Sequence, residues 1–137
     1  MSGLEVHIRN CGLERSLLHL IKLRASLING CAFCIDMHTD EALADGEKPA
    51  RLHLLSVWRE TSLFSEREQV ALAWTEAVTL IASGGPSDEL YARALQHFTE
   101  EELVNLNLAV VAINGWNRFS IAFRVPPALK SIPAARD

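Results

Sequence analysis

Basic charge is in short supply in this sequence: 13 Lys and Arg stand against 17 Asp and Glu, for a formal net charge of −4. No Lys/Arg-rich stripe is left to track a phosphate backbone, which argues against nucleic acid as a partner. Long apolar runs are missing as well. None approaches the ~18 residues that cross a bilayer. Met1-Ser2-Gly3-Leu4-Glu5 has no basic segment leading into an apolar one, as a secretory leader does. A cytoplasmic protein with no membrane partner is expected. Cysteine is sparse and odd in number, with Cys11, Cys31 and Cys34 alone. A secreted disulfide framework needs more. Nowhere does apolar–polar alternation with hairpin turns mark a strand. No internal repeat or low-complexity linker stands out.

What is present is helical. The 137 residues, 49% hydrophobic and 22% charged, suit one domain over 1–137 that can bury a core. Leu17, Leu20, Ile21, Arg24 and Ile28 recur at helical spacing, and Asn29-Gly30 reads as the stop, since both tolerate a left-handed backbone. A second helix starts at Cys31 and ends near Ala44-Asp45-Gly46. A third runs from Pro49, a good first-turn residue, to Trp58, with Arg59 to Phe64 as a connection. Ser65 and Glu68 match a capping box that opens a helix through Ile81. Ser87 caps a short helix, and Thr99 with Glu102 opens a long one from Glu100 to about Phe123, halted by Pro126-Pro127. Lys130 to Asp137 reads as a loose tail. The expected fold is all-α, a single domain of about six helices.

Chemistry concentrates in Cys31-Ala32-Phe33-Cys34-Ile35-Asp36-Met37-His38. On a helix, residues three and four apart stack, so positions 31, 34 and 38 share a face. Two sulfurs so placed can close into a disulfide or clamp a metal, and a helix start would lower the thiol pKa. Three readings stand side by side: two buried thiols without a role, a zinc site completed by His38 and another histidine, and a redox dithiol. The zinc reading has no second cysteine pair downstream, and the redox reading leads. His38 can act as base or proton relay for Cys34, ligate a metal, or rest as a satisfied core residue. His19 sits on the preceding helix, twelve residues before Cys31, and an antiparallel hairpin would bring it back toward the thiols. A surface position suits it equally well. Cys11 stands alone as a bystander thiol.

Other polar positions have plainer readings. Glu68 is accounted for by its capping box. Glu76 belongs either to an exposed helix face or to the site. Asn114-Gly115-Trp116-Asn117-Arg118 interrupts the last apolar helix with residues that weaken a helix interior. Packing or assembly explains it best, with Gly115 admitting a close neighbour. Trp58, Trp74 and Trp116 read as core or interface.

The run from Leu23 to His38, LRASLINGCAFCIDMH, resembles the core of the alkylhydroperoxidase D-like proteins, within the carboxymuconolactone decarboxylase superfamily. Phe64 to Glu68 leading into Ala71 to Thr79, and Ile113 to Arg118, extend the likeness over roughly residues 13 to 124. The resemblance implies an all-helical fold that assembles into homo-oligomers, often trimers or hexamers, and peroxidase or disulfide-reductase chemistry. On the family pattern Cys34 attacks peroxide, Cys31 resolves the sulfenic acid into a disulfide, and His38 belongs to the proton relay. Two departures stand out. His19 occupies the position where members with the full relay carry a glutamate, and imidazole is not an acid–base equivalent of a carboxylate near neutral pH. Phe33 replaces the histidine that the best-known peroxidases carry between the cysteines. Members named for the decarboxylase lack the cysteine pair, so lactone decarboxylation is set aside.

The expected function is therefore a thiol-dependent peroxidase working through Cys34, Cys31, His38 and His19, without a bound cofactor or metal. Its partners would be a peroxide, an external thiol or dithiol reductant or redox protein, and further copies of the chain. A dithiol–disulfide oxidoreductase with weak peroxide activity and a non-catalytic oligomeric redox sensor are the alternatives.

Overall fold

Reciprocal capping boxes fix where two of the longest helices begin. Ser65 Oγ accepts the Glu68 amide at 3.2 Å while Glu68 Oε2 accepts the Ser65 amide at 2.8 Å. Thr99 and Glu102 repeat the exchange at 3.1 and 2.9 Å. Each pair satisfies two donors that a helix start otherwise leaves orphaned. The computed structural model describes residues 1–129 and Ala135, so the expected tail from Lys130 to Asp137 falls almost entirely outside the described residues.

Among the described residues the chain is all-α. The helices are α1 (Ser2–Arg9), α2 (Arg15–Asn29), α3 (Ala32–Ala44), α4 (Pro49–His53), α5 (Glu66–Thr79), α6 (Asp88–His97) and α7 (Glu100–Ala122). Short 3₁₀ turns follow α4 (Leu55–Glu60) and α5 (Ile81–Ser83). None of these helices is long and apolar enough to cross a membrane.

Central to the bundle is α2, which packs against α3, α5 and α7. It is apolar on two faces. Leu17 and Ile21 join Ile8, Val70, Leu106 and Val110 in one buried cluster. Leu20 and Leu23 join Ala42, Leu55, Trp58 and Leu72 in the other. Burial of each such side chain contributes roughly 1.5–3 kcal/mol, which outweighs the weak helix preference of any single position.

Three details differ from the sequence expectation. A seventh α-helix, α1, precedes the expected set, and its Ile8 is buried in the core. The expected helix from Pro49 to Trp58 is broken: α4 ends at His53, and Val57 (φ −122°, ψ 31°) departs from helical geometry, so Arg59 and Glu60 close a 3₁₀ segment. Helix α5 stops at Thr79, two residues before Ile81.

Polar residues in the helices are satisfied rather than stranded. Asn29 Nδ2 donates to Asn114 Oδ1 and Asn117 Oδ1, both at 2.9 Å, and Asn117 Nδ2 donates to Ser26 Oγ at 3.0 Å. Asn114 Nδ2 donates to Thr79 Oγ1 at 3.0 Å. The Asn114–Arg118 segment is thus a packing device that ties α7 to α2 and α5. Gly115 makes room for the Met1 side chain, whose Cε would lie 2.8 Å from an added Cβ. Glu76 is not on an exposed face. It accepts from Trp58 Nε1 at 2.7 Å, Arg24 Nε at 3.0 Å and Arg59 Nη1 at 2.5 Å.

Candidate active site

The turn between α2 and α3 places the thiols. Gly30 takes a left-handed conformation (φ 70°, ψ 36°) that ends α2, and the Cys31 amide bonds back to the Ser26 carbonyl at 3.1 Å. Cys31 then becomes the N-cap of α3, its Sγ accepting the Cys34 backbone N–H at 3.2 Å. The two cysteines are disulfide-bonded, with Cα atoms 5.3 Å apart. Each is only 1% exposed. Cys11 is the free, half-buried cysteine and lies in the loop between α1 and α2.

A cavity of about 680 Å³ opens beside this turn. Cys34 is in its wall and Cys31 is not. His38 and His19 also line it, so the structure brings three of the four sequence-identified residues to one cavity and leaves the fourth behind it. Leu18, Phe33, Met37 and Trp116 give the cavity an apolar side.

Both histidines are buried, and each is held by a carboxylate that sequence reasoning did not single out. His38 Nδ1 lies 3.0 Å from Glu41 Oε2, one turn further along α3. A carboxylate can only accept, so Nδ1 is the donor and Nε2 is the nitrogen left to accept a proton. This hydrogen bond from His38 holds the Glu41 carboxyl below its usual value. His19 Nε2 lies 2.6 Å from Asp45 Oδ2, and Arg15 Nη2 reaches the same oxygen at 2.9 Å. The hydrogen bond from His19, with the Arg15 charge, lowers Asp45 likewise. Glu41 could have been found from its i+3 spacing to His38. Asp45 gave no signal beyond marking a helix end.

His19, Asp45 and Arg15 also line a second cavity of about 830 Å³, so this trio forms the partition between two hollows. Also lining the first cavity, Glu5 of α1 accepts from Lys22 Nζ (2.7 Å) and Trp116 Nε1 (3.2 Å). Among the described residues, no three His, Cys, Asp or Glu side chains converge as a metal centre requires.

The arrangement offers a bonded pair of sulfurs, one facing a cavity, with imidazole and carboxylate groups on the same wall. It can support thiol exchange and proton transfer. A profile of the family described as carboxymuconolactone decarboxylase matches residues 2–77. The uncharacterised protein YdfG of Bacillus subtilis (strain 168) is 44% identical over 122 residues, covering 89% of this chain and 83% of YdfG. A crystal structure of a protein of unknown function from Agrobacterium tumefaciens, given as a candidate antioxidant defence protein AhpD, matches with a TM-score of 0.91 and 44% identity, over 94% of this chain and 88% of that one. The debrominase Bmp8 matches with a TM-score of 0.79 at 20% identity, over 91% of this chain and 67% of its own, a likeness of fold alone.

Proposed function

Since the chain belongs to the carboxymuconolactone decarboxylase family, as an alkylhydroperoxidase D-like protein, we propose that it is a thiol-dependent peroxidase acting through Cys34 and Cys31. The observation that carries this reading is the asymmetry of the pair: Cys34 faces a cavity shared with His38, and Cys31 stands behind it within bonding distance. The Cys34 thiolate attacks the peroxide's outer oxygen. The O–O bond breaks, an alcohol or water leaves, and Cys34 becomes a sulfenic acid. Cys31 then displaces hydroxide from that sulfur, giving the disulfide and water. Two external thiols, or one dithiol, return the two electrons. His38 takes the Cys34 proton and delivers one to the leaving oxygen, with His19 in a secondary role.

The antioxidant designation of the Agrobacterium relative points the same way. A dithiol–disulfide oxidoreductase with weak peroxide activity is the second reading, favoured by His19 and Phe33 standing where fuller peroxidases carry other residues. A non-catalytic redox sensor would use the same disulfide without turnover. The chain is further proposed to work in the cytoplasm as a homo-oligomer, trimer or hexamer. Val104, Val111 and Phe119 are exposed along α7, and an apolar stripe of this kind favours a partner surface.

Peroxide consumption with a panel of thiol reductants, alongside free-thiol counts, tests the function. An enzyme consumes many equivalents per chain. A sensor consumes one, and a protein that consumes none is not a peroxidase.

A further inference from the structure

Asn117 of α7 is fully buried, at 0% exposure, and both ends of its carboxamide are engaged by the last turn of α2. Its Nδ2 donates to Ser26 Oγ at 3.0 Å, and its Oδ1 accepts from Asn29 Nδ2 at 2.9 Å. Ser26 commits its own hydroxyl hydrogen to the Lys22 carbonyl at 2.7 Å, so towards Asn117 it can only accept, which fixes the direction of the amide. The other hydrogen of Asn29 Nδ2 goes to Asn114 Oδ1 at 2.9 Å. The two asparagines of α7 thus clamp the end of α2. The clamp stops one residue short of the cysteine turn. Between Asn29 and Cys31 stands Gly30, with φ 70°, and no atom lies within 4 Å of the place a Cβ would take. Glycine is the least restricted residue, so Gly30 does not hold the turn by itself. In the oxidised protein the S–S bond keeps Cys31 beside Cys34. In the reduced protein that link is gone. The place of Cys31 then rests on the Ser26 carbonyl that accepts its N–H at 3.1 Å, on the Cys34 N–H that reaches its Sγ, and on the α2 turn that Asn117 fixes.

Resting on the redox-dithiol reading above, we infer that Asn117 is a positioning residue for the pair: it holds Cys31 within bonding distance of Cys34 in the reduced protein, and so sets how fast the disulfide closes. It acts through Ser26 and Asn29 rather than on the sulfurs themselves. Closure is an intramolecular displacement at sulfur, and its rate depends on how often the attacking thiolate sits in line with its target. Loss of the clamp frees the Gly30 turn, lowers that frequency and slows closure. The first reaction of the pair with an outside reagent needs no second sulfur in place, so it proceeds as before.

The test sets closure against trapping. Reduced full-length protein, carrying Cys11→Ser so that only the pair reacts, is mixed with rising concentrations of methyl methanethiosulfonate. The reagent transfers its methylthio group to one cysteine and releases methanesulfinate. The other cysteine then has two fates. Its thiolate attacks the modified cysteine's sulfur, forming the disulfide and expelling methanethiolate, or a second reagent molecule modifies it. On closure the two thiols give up two electrons and two protons, and the reagent ends as methanesulfinate and methanethiol. Mass spectrometry counts chains with no methylthio group against chains with two. In Asn117→Ala the concentration at which half the chains carry two is expected to fall roughly tenfold. Asn29→Ala, at a half-buried position, should fall in the same direction, and it decides the matter if Asn117→Ala does not fold. Val70→Ala truncates the core cluster elsewhere and should keep the native partition. An unchanged partition in either folded asparagine variant, or an equal fall in Val70→Ala, overturns the inference. Failure of the peroxidase reading looks different: peroxide leaves the reduced thiols intact, yet the partition still shifts in the asparagine variants.

Discussion

Nδ1 of His38 sits 3.0 Å from Oε2 of Glu41, so the ring that shares the cavity with Cys34 is held from behind by a carboxylate of its own helix. The bond fixes the ring's donor at Nδ1 and leaves Nε2 as the nitrogen able to take a proton. The hydrogen bond with His38 keeps Glu41 below its ordinary value of 4.5, so its negative charge is present at neutral pH. Glu41→Gln removes that charge and weakens the ring's capacity to take the Cys34 proton. The pH profile of Cys34 alkylation is expected to move up by about one unit, with a roughly tenfold slower rate at neutral pH. Glu41→Asp should restore part of the rate. An unmoved profile in Glu41→Gln would show that the contact is structural only.

Removing the imidazole itself should cost more. His38→Ala is expected to slow peroxide oxidation of Cys34 by about 100-fold, at the low end for a positioned general base. His19 is engaged by Asp45 and Arg15 at the partition, and His19→Ala should have a smaller effect. Equal losses would make His19 a full relay member.

Sulfenic acid trapping separates the two thiols. Cys34→Ser should abolish trapping, whereas Cys31→Ser should let the sulfenic acid accumulate because nothing resolves it. Trapping that survives in Cys34→Ser and disappears in Cys31→Ser would reverse the assignment. The helix-start position of Cys31 stabilises its thiolate, so this outcome turns on access: a stabilised thiolate with no path to peroxide does not react with it.

Acid stability should depend on Glu76. Burial pushes this carboxyl up, but hydrogen bonds from Arg59, Trp58 and Arg24 outweigh that and hold it below 4.5. The native group therefore binds fewer protons than the unfolded one as pH falls below about 4.5. Its stabilisation is complete above that pH and is lost as pH drops through the lowered native value. Denaturant unfolding at neutral pH should show Glu76→Gln less stable by about 3 kcal/mol, because two arginines lose their shared partner. The difference between variant and native chain should shrink steadily below pH 4.5. A constant difference across that range would remove Glu76 from the acid response.

Sedimentation at micromolar concentration should return a mass well above the 15.2 kDa of one chain. Exposed Val104, Val111 and Phe119 on α7 are the expected contact, and Val111→Glu should lower the mass. A native protein that sediments as a monomer contradicts the assembly.

Legibility in the sequence followed the range of the interactions. Capping boxes, the Gly30 stop and the helical stripes depend on neighbours within four residues. The expected starts of α5 and α7 and the end of α2 accordingly match the structure. Helix α1 was not legible because it is short and has no side-chain cap, and much of its placement comes from distant partners: Ile8 in the core, Glu5 on Lys22 and Trp116, His7 on Asn105. The break at Val57 is likewise set by packing of Leu55 and Trp58 into the core rather than by any Gly or Pro. At the site, the thiol pair and His38 were readable from spacing within one helix. The gathering of His19 with them needed the α2–α3 hairpin, and the carboxylate partners Glu41 and Asp45 only acquire meaning once the rings are seen to face them. Glu76 shows the limit most plainly: its three donors come from α2 and the 3₁₀ segment, 17 to 52 residues away in sequence.

Thiol stoichiometry in a single turnover tests the central claim most directly. Fully reduced protein is mixed with one equivalent of peroxide per chain, and remaining peroxide and free thiols are counted, with peptide mapping of all three cysteines. The account expects one peroxide consumed for two thiols lost, both at Cys31 and Cys34, with Cys11 still free and no covalent dimer. Addition of a dithiol should then restore both thiols and allow a second equivalent to be consumed. Peroxide left unconsumed while Cys31 and Cys34 stay reduced, or consumed with loss of Cys11 alone, would contradict it.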